Sequence, residues 1–392
     1  MSIAGKEITV LGAGVAGLAV ARALALKGAE VTVLEQADAI REVGAGLQIS
    51  PNGAKVLEAL GLGEALRAAS LRAEAVELRD GRDSALVLRL DLARLRPDQA
   101  YHFLHRADLI NLLAQGAREA GVQIRLLQKI DNVDLAGDKP QLTTAQRNVI
   151  SADLLIAADG LQSPTRAALN GRSAPFFTRQ VAWRATIPAT PGDAAVAEVH
   201  MGAGRHLVSY PLRGGSLRNI VAVEERSSWV EESWSLRDDP LEMRLAFAEF
   251  SPSVQGWLEA VQDVHLWGLF RHPVAASWFK CLPQGAAAIL GDAAHPTLPF
   301  LAQGASMALE DAWLLADLLS KHPQAEALTA YQTARIPRTT RITAAATSNA
   351  RAYHLSGLSR SLAHTALRLG GKLAPSLPLK RFDWLYDFDV TA

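Results

Sequence analysis

Three glycines near the start of the chain have the spacing of a phosphate-binding turn. Gly12, Gly14 and Gly17 follow the apolar residues 8–11 in the order G-x-G-x-x-G. In such a turn the first glycine permits a tight bend, the second lets backbone approach a pyrophosphate, and the third lets a helix pack on the preceding strand. The free N–H groups and positive dipole end of that helix stabilise phosphate charge. The spacing therefore predicts dinucleotide binding.

The segments around this turn predict one β-α-β unit. Residues 8–11 and 31–34 are short apolar runs typical of buried parallel strands, and residues 15–27 carry an alanine-rich apolar pattern at helical spacing. Gly28 ends the predicted helix. Glu35 follows the second strand, where a carboxylate can accept hydrogen bonds from ribose hydroxyls.

Two other interpretations of this stretch are a glycine-rich turn without a ligand and a secretory signal. The stretch is N-terminal and apolar, which suits a signal. Arg22 and Lys27 interrupt the apolar run, however, and the strand-turn-helix pattern explains more of its residues. The signal interpretation is therefore rejected.

Two later apolar runs also end in polar turns. Residues 154–158 and 287–290 are predicted to be buried strands, and Asp159 and Asp292, each beside a glycine, follow them. Ligands of α/β sheets bind at the carboxyl ends of parallel strands. Both aspartates are thus candidates for the same ligand site.

Charged and polar groups near helix starts add to the candidate site. Arg106 lies where the helix dipole favours anions, which indicates that it binds an anion, although pairing with Asp108 is an alternative. The helix beginning near Gln303 offers a second N-terminal anion site. His295 can bind a metal or relay protons, but no second ligand has suitable spacing nearby, so no metal site is predicted.

Bulk properties exclude several classes of protein. The 392 residues include 40 basic and 40 acidic side chains, so no broad positive field predicts a nucleic-acid partner. The single cysteine, Cys281, excludes an intrachain disulfide framework and fits a reducing cytoplasm. No apolar run is long enough to span a membrane.

The patterning predicts an α/β fold: a discontinuous Rossmann-like nucleotide-binding domain, an inserted, mostly antiparallel β-sheet substrate domain, and a C-terminal helical segment. The sheet domain is predicted because β-type alternation replaces helical spacing over residues 175–275. Such a sheet commonly forms the second wall of a pocket. The predicted boundaries are 1–70, 101–174 and 276–325 for the nucleotide-binding domain, 71–100 and 175–275 for the sheet domain, and 326–392 for the helical segment and tail.

Together these motifs resemble the single-component FAD-dependent aromatic hydroxylases, the family of para-hydroxybenzoate hydroxylase. The closest likeness is to its salicylate hydroxylase and 3-hydroxybenzoate 6-hydroxylase branch. The likeness covers nearly the whole chain. Beyond the glycine turn, the Asp159-Gly160 turn and Gly291-Asp292 followed by AAHP, it includes GAGLQISPN (44–52), HRADL (105–109), RHLVSYPLRGG (205–215) and FDWLY (382–386).

The resemblance implies a bound FAD and NAD(P)H as a transient co-substrate. It implies that the backbone of residues 304–306 lies against the N1–C2=O edge of the flavin, where the helix dipole stabilises the reduced anion. The implied cofactor-binding residues are Gly12, Gly14, Ala16, Gly17, Glu35, Arg41, Arg106, Asp159, Asp292, Gly304, Ala305 and Ser306.

The resemblance also implies a substrate site on the sheet domain. His206 and Tyr210 match the residues that face the substrate phenol, and their spacing of four places both on one face of a strand. They are the candidate catalytic residues. Gln48, Pro296 and Gln303 are the candidate pocket residues. The alternative is that Tyr210 is a packed edge aromatic and His206 is exposed to solvent.

The implied reaction is hydroxylation of a phenolic ring. NAD(P)H transfers hydride to flavin N5, O2 adds at C4a, and the ring attacks the distal oxygen of the hydroperoxide. The protein binds the ring, favours the phenolate and excludes water. A phenolic aromatic acid is the expected substrate, and Arg184, Arg205 and Arg213 are candidates for its carboxylate.

Several alternatives stay open at this level. A neutral phenol, a hydroxylated pyridine or a larger polyketide ring would also suit the chemistry. A flavin dehydrogenase or oxidase, or a non-catalytic nucleotide-binding protein, would use the same fold. The expected partners are a small aromatic substrate and O2, with no nucleic acid and no membrane, in a monomer or a homodimer.

Overall fold

The computed structural model describes residues 3–40, 45–189, 192–227 and 236–392. Its strands alternate with helices in the first part of the chain and cluster in the middle. In chain order the strands are β1 (Glu7–Leu11), β2 (Glu30–Leu34), β3 (Gly46–Ile49), β4 (Leu71–Arg72), β5 (Ala75–Asp80), β6 (Leu86–Asp91), β7 (His102–His105), β8 (Gln123–Arg125), β9 (Ile130–Asp134), β10 (Gln141–Thr144), β11 (Val149–Ser151), β12 (Leu154–Ala157), β13 (Phe176–Pro188), β14 (Val196–Gly202), β15 (Arg205–Leu212), β16 (Leu217–Glu225), β17 (Arg237–Asp238), β18 (Val264–Arg271), β19 (Phe279–Leu282) and β20 (Gly285–Ile289).

The helices fall between the strands and then dominate the C-terminal part of the chain. In chain order they are α1 (Val15–Ala25), α2 (Pro51–Ala59), α3 (Gly63–Ala69), α4 (Leu92–Leu95), α5 (Arg106–Glu119), α6 (Pro164–Asn170), α7 (Pro240–Ala246), α8 (Pro252–Glu259), α9 (Gly304–Lys321), α10 (Gln324–Tyr353), α11 (Gly357–Leu373), α12 (Leu377–Lys380) and α13 (Asp383–Tyr386). Short 3₁₀ turns occur at Arg213–Gly215, Gly291–Ala293 and Pro299–Leu301.

A six-stranded sheet in the order β19-β20-β12-β1-β2-β8 forms the nucleotide-binding half of the molecule. All its neighbours are parallel except the pair of β19 and β20. Helix α1 packs beside α9 and α5, and the central strands are buried because their side chains are apolar on both faces. The predicted Rossmann-like arrangement is confirmed.

An eight-stranded sheet in the order β17-β18-β13-β16-β15-β14-β5-β6 forms the second half. It is antiparallel except where β14 pairs with β5 in parallel, so the prediction of a mostly antiparallel sheet is confirmed. Its apolar core lies between one face of the sheet and helices α7 and α8, around Trp183, Phe247 and Leu258. Strands β5 and β6 come from the 71–100 segment, as predicted, whereas β4 pairs with β7 in a separate three-stranded sheet. The domain boundaries themselves stay a prediction.

The start of helix α5 is fixed by a side-chain cap. Helix α5 begins at Arg106 because the His105 side chain caps it, with Nδ1 accepting from the Ala107 N–H at 3.3 Å. The predicted C-terminal helical segment is confirmed and consists of helices α10 to α13. Within the described residues, no helix has the length and apolar character needed to cross a membrane.

Candidate functional site

The glycine turn between β1 and α1 has contacts that only glycine permits. Gly12 has a φ of +98°, and a Cβ there would lie 2.6 Å from the carbonyl oxygen of Ala158. A Cβ on Gly17 would collide with the carbonyl oxygen of Gly12. A Cβ on Gly14 would meet no protein atom within 4 Å. The turn is therefore tightly packed on two sides and open at Gly14, where a phosphate would approach.

Glu35 is positioned beside this turn by the sheet. The parallel register pairs Leu11 with Leu34, so both strands end at the same level. One carboxylate oxygen of Glu35 accepts from the Ala13 N–H at 2.7 Å, and the other accepts from the Ala37 N–H at 2.8 Å. Since each carboxylate oxygen has two lone pairs, both oxygens can still accept from ribose hydroxyls.

A cleft with a volume of about 1040 Å³ lies along the carboxyl edge of the six-stranded sheet. Strands β1, β2 and β12 end at this edge because they are parallel, and the turn after β20 joins them. Six of the candidate cofactor residues line the cleft: Gly12, Gly14, Glu35, Arg106, Asp159 and Asp292. The structure thus brings three motifs that are far apart in the sequence into one elongated site.

Asp159 presents an unsatisfied acceptor in this cleft. Its Oδ2 accepts from the Thr165 hydroxyl at 3.1 Å, while its Oδ1 is buried and has no hydrogen-bond partner in the described parts of the chain. Burial raises the pKa of Asp159 to about 6, against the opposing hydrogen bonds of Ser163 and Thr165. A donor group on a bound ligand would satisfy Oδ1 and favour the carboxylate form.

The N-terminus of α9 carries three more of the candidate cofactor residues, which do not line the cleft. Gly304 and Ala305 begin the helix, and its first turn contains no acidic residue, so the positive dipole end is not neutralised there. Ala302, two positions earlier, has a φ of +52°, a strained conformation for a residue with a Cβ. The Ser306 hydroxyl lies 2.9 Å from that of Ser50. This side chain therefore ties α9 to the start of α2, and only the backbone of the turn is available to a ligand.

Ala16 and Arg41 are two further candidates, and Ala16 is not part of the cleft lining. A Cβ at Gly291 would lie 2.9 Å from the Cβ of Ala16, so Ala16 packs against the turn that carries Asp292. Arg41 lies outside the residues that the structure describes, as does Gly44 at the start of the 44–52 motif.

Comparison with known proteins agrees with this geometry. A family model described as an FAD binding domain matches residues 6–346. The 3-amino-4-hydroxybenzoate 2-monooxygenase of Streptomyces platensis is 33% identical, over 98% of this chain and 96% of that protein. The 3-hydroxybenzoate 6-hydroxylase of Polaromonas naphthalenivorans strain CJ2 is 31% identical, also over 98% of this chain and 96% of that protein. A salicylate hydroxylase in a substrate complex has a TM-score of 0.79 at 23% identity, covering 99% of this chain and 97% of that chain.

The chain belongs to the FAD-dependent aromatic-ring monooxygenases. The predicted family and the predicted FAD are confirmed, and NAD(P)H is the co-substrate typical of the family. The dehydrogenase, oxidase and non-catalytic alternatives are thereby set aside. The residues present fit FAD: an open glycine turn for a pyrophosphate, a carboxylate for a ribose, and an unsatisfied acceptor at Asp159.

A buried ion network supports the cofactor edge of this monooxygenase. Asp311 in α9 accepts from the Gly291 N–H at 2.9 Å, and it also contacts His295 Nε2 at 2.5 Å and Arg335 Nε at 2.6 Å. Glu310 contacts Arg335 at 2.5 Å. Burial alone would raise the pKa of Asp311, but the neighbouring His295 and Arg335 hold it below its ordinary value. The network therefore joins α9, α10 and the turn before Asp292.

His295, which the sequence analysis considered as a metal ligand or proton relay, is buried and contacts Asp311. Its Nε2 contacts Asp311, and its ring lies against Trp278 with a centroid distance of 5.3 Å. The described residues contain no group of three or more His, Cys, Asp or Glu side chains placed to hold a metal. In the structure His295 holds the loop after β20 in place. No local sequence signal indicated Arg335, because it lies one helix farther along the chain.

Tyr210 of the monooxygenase is buried and does not line the cleft. It is 4% exposed, its ring centroid is 5.0 Å from that of Phe103, and a Cβ on Gly46 would lie 2.8 Å from its hydroxyl oxygen. Gln48 accepts from the Tyr101 hydroxyl at 2.7 Å and also hydrogen-bonds Tyr210. Tyr101, which the sequence did not single out, thus belongs to the same polar cluster.

His206 lies on the same strand as Tyr210 and is 2% exposed, so the alternative of a solvent-exposed His206 is wrong. Its ring contacts those of Phe300 and Tyr353, with centroid distances of 5.6 and 5.1 Å. Its Nδ1 lies 2.7 Å from Nε2 of His354. Burial is the main cause that lowers the pKa of His206 well below its ordinary value, so the imidazole is neutral at pH 7.

The catalytic and pocket candidates do not line the cleft that the described residues form. The residues concerned are His206, Tyr210, Gln48, Pro296 and Gln303. The Gln303 amide donates to the Ser50 hydroxyl at 2.9 Å and accepts from Asn52 at 3.2 Å, so it joins α9 to α2. The substrate roles of these residues stay predictions.

Proposed function

We propose that this monooxygenase hydroxylates a phenolic aromatic acid of the hydroxybenzoate class with NAD(P)H and O2. The observation that carries this proposal is the position of Arg184, which lines the cleft from the sheet domain. Burial raises the pKa of the Tyr210 phenol, and the positive charge of Arg184 opposes that rise, so the two groups are within electrostatic reach. A cation near a phenol-binding residue suits a ring that carries both a hydroxyl and a carboxylate.

Arg184 is preferred over the other two candidate arginines because, of the three, it alone lines the cleft. Arg213 forms two hydrogen bonds with Asp108, at 3.0 and 2.8 Å, on the surface. Arg205 donates to the carbonyl oxygen of Ala246 and lies 3.5 Å from a Glu224 oxygen. The Arg184 guanidinium stacks over Trp267, 4.8 Å from the ring centroid, and the residue lines the cleft.

The two named relatives support the same substrate class. Their printed activities are on 3-amino-4-hydroxybenzoate and 3-hydroxybenzoate. Each is a benzoate with a ring hydroxyl, the combination that Arg184 and the His206 and Tyr210 pair would recognise.

In the proposed reaction the chain's own residues prepare the ring. When bound and reduced by NAD(P)H, FAD supplies the activated oxygen. His206 is neutral and buried, so its imidazole can accept the phenol proton and make the ring more electron-rich. Tyr210 stays protonated because burial raises the pKa of its phenol, and it can therefore donate a hydrogen bond to the substrate oxygen. The closely packed aromatic side chains around both residues exclude water.

The proposal is tested with a panel of ring acids. Purified protein loaded with FAD is mixed with NADH or NADPH and with hydroxybenzoates, aminohydroxybenzoates, hydroxypyridines or neutral phenols. We expect a hydroxybenzoate to give the largest stimulation of pyridine-nucleotide oxidation and O2 uptake. Product mass should show the gain of one oxygen atom and reveal whether carbon dioxide is lost. If only neutral phenols stimulated pyridine-nucleotide oxidation, the proposal of a hydroxybenzoate substrate would be wrong.

Arg184→Gln tests the recognition of the carboxylate. We expect the KM for the best hydroxybenzoate to rise by about tenfold or more, because a charge-assisted hydrogen bond contributes about 1.5–3 kcal/mol. The kcat should change less, and the KM for the matching phenol without a carboxylate should stay near the wild-type value. Arg213→Gln is the control and should leave both KM values unchanged. Equal losses for acid and phenol in Arg184→Gln would show that Arg184 does not bind the carboxylate.

A further inference from the structure

We propose that His354 and Glu225 form a proton relay that carries the phenolic proton of the substrate from His206 to solvent. This inference rests on the proposed function, since it takes His206 as the group that accepts that proton. It adds two positioning and proton-transfer residues that lie on different elements and far from the glycine turn. None of the sequence motifs includes them.

The three side chains form a continuous hydrogen-bonded series. His206 Nδ1 lies 2.7 Å from His354 Nε2, and His354 Nδ1 lies 2.7 Å from Glu225 Oε1. His206 and His354 are 2% and 8% exposed. The side chain of Glu225 is 54% exposed. The series therefore begins at a buried ring and ends at a side chain in contact with water.

The carboxylate at the surface sets the direction of every hydrogen bond in the series. An ionised carboxylate can only accept, so His354 Nδ1 must carry the proton and His354 Nε2 must present a lone pair. His206 Nδ1 then donates to His354, and His206 Nε2 is left with its lone pair. Among the described residues the His206 ring has no other hydrogen-bond partner. His206 is thus held in the tautomer that a base requires.

The surroundings keep both rings neutral between transfers. Burial lowers the pKa of His354, and the charge of Arg205 lowers it further, although Glu225 opposes both effects. Burial also raises the pKa of Tyr353 to about 12, so that neighbour carries no charge. Gln180 Nε2 lies 3.5 Å from His354 Nδ1, a longer contact than that with Glu225. Neither imidazole therefore retains a proton that it receives.

The transfers balance without any oxidation or reduction. The phenol O–H bond breaks as His206 Nε2 binds the proton. His206 Nδ1 passes its own proton to His354 Nε2, and His354 Nδ1 passes its proton to the Glu225 carboxylate, which releases it to water. When the hydroxylated product leaves, it takes the proton back from His206 Nε2. The series then runs in reverse and restores the starting tautomers.

The experiment measures proton release directly on the FAD-loaded enzyme. The enzyme is mixed in a stopped-flow instrument with a phenolic acid that stimulates it and whose ring hydroxyl is protonated in solution. The solution contains a pH indicator and little buffer. We expect Glu225→Ala to slow proton release on substrate binding by at least about tenfold, because a positioned proton-transfer group typically contributes about 10²–10⁴-fold. Added acetate should restore the rate in proportion to its concentration. His354→Gln should slow release to a similar degree without rescue by acetate.

Controls separate the relay from changes in folding and cofactor binding. Glu224→Ala removes the neighbouring carboxylate, which pairs with Arg205 and Arg226 instead, and should release protons at the wild-type rate. The flavin absorbance and the affinity for FAD should be unchanged in Glu225→Ala. Wild-type rates in both Glu225→Ala and His354→Gln would overturn the relay, as would the absence of any proton release from the wild-type enzyme.

His206→Asn distinguishes the relay from the proposed function beneath it. We expect this variant to abolish proton release and to lower hydroxylation per NAD(P)H oxidised. If it does so while Glu225→Ala and His354→Gln behave as wild type, the relay fails and the role of His206 stands. If His206→Asn releases protons normally, His206 is not the base, and its role in the proposed function fails together with the relay.

Discussion

At the scale of single residues, Gly14 and Gly17 are three positions apart, yet a methyl group at each would meet different surroundings. At Gly17 it would collide with the carbonyl oxygen of Gly12, whereas at Gly14 it would enter open space. Gly17 therefore serves the packing of the protein. Gly14 serves a ligand that occupies the open side of the turn.

We therefore expect opposite patterns from two alanine substitutions. Gly17→Ala should lower the free energy of unfolding of the FAD-free protein by about 1–3 kcal/mol, the usual cost of overpacking. Gly14→Ala should leave that stability within about 0.5 kcal/mol of wild type but weaken FAD binding by tenfold or more, on the order of 1.4 kcal/mol. Urea unfolding and flavin fluorescence titration measure the two quantities. A Gly14→Ala variant with normal FAD affinity would contradict the assignment of the pyrophosphate to this turn.

Asp159 should make FAD affinity depend on pH. Burial raises its pKa in the ligand-free cleft from 3.8 to about 6, so the folded protein holds a proton there that the unfolded chain releases. Stability of the ligand-free protein therefore falls as the pH rises from about 4 to 6. A cofactor donor at Oδ1 favours the carboxylate, so FAD affinity should increase as the pH rises through 6 and then level off. Flavin fluorescence titrations between pH 5 and 8 test this expectation, with Asp159→Asn as the control that should lose the dependence.

At the scale of elements, the ion network around Arg335 explains how two long helices hold the cofactor edge. Arg335 is 1% exposed and bonds to both Glu310 and Asp311 in the neighbouring helix. Asp311 in turn holds the Gly291 N–H. A displacement of α10 would therefore be transmitted to the turn that carries Asp292.

We expect Arg335→Met to destabilise the protein by about 3–5 kcal/mol, because it leaves two buried carboxylates without their shared cation. The lost stability should appear in urea unfolding, and FAD should dissociate at lower denaturant concentration than from wild type. Arg341→Met is the matched control on the same helix: its guanidinium lies on the exposed surface over Trp384, and its loss should cost less than about 1 kcal/mol. Similar destabilisation by both variants would show that the network does not act as described.

At the scale of the whole molecule, the sequence best predicts those turns and strands whose formation depends on residues close together in the chain. The glycine turn and the strands that precede Asp159 and Asp292 were all indicated by signals within a few positions. Parallel strands then bring these turns together at one edge, and the predicted meeting of the motifs is found in the cleft. The placement of β4 was missed because two residues of strand carry too little pattern to reveal a partner.

The contacts of His354 with His206 and Glu225 could not be predicted, because these residues are far apart in the sequence. His206 and His354 are 148 positions apart, and Glu225 and His354 are 129 positions apart. His354 lies at the end of a helix whose periodicity says nothing about a contact beyond its last turn. Only the packing of α10 against the eight-stranded sheet brings these side chains together.

The strand order of the six-stranded sheet has a consequence for how the enzyme matures. Strand β20 pairs with β12 and leads into the turn of Asp292, yet it is synthesised after the whole eight-stranded sheet. A nascent chain that ends before residue 289 therefore has the glycine turn but lacks one wall of the cleft. Because domains generally fold as they leave the ribosome, we expect the inserted sheet to form before strands β19 and β20 complete the six-stranded sheet. Flavin loading is thus a late event, set by the far end of the chain rather than by the glycines at its beginning.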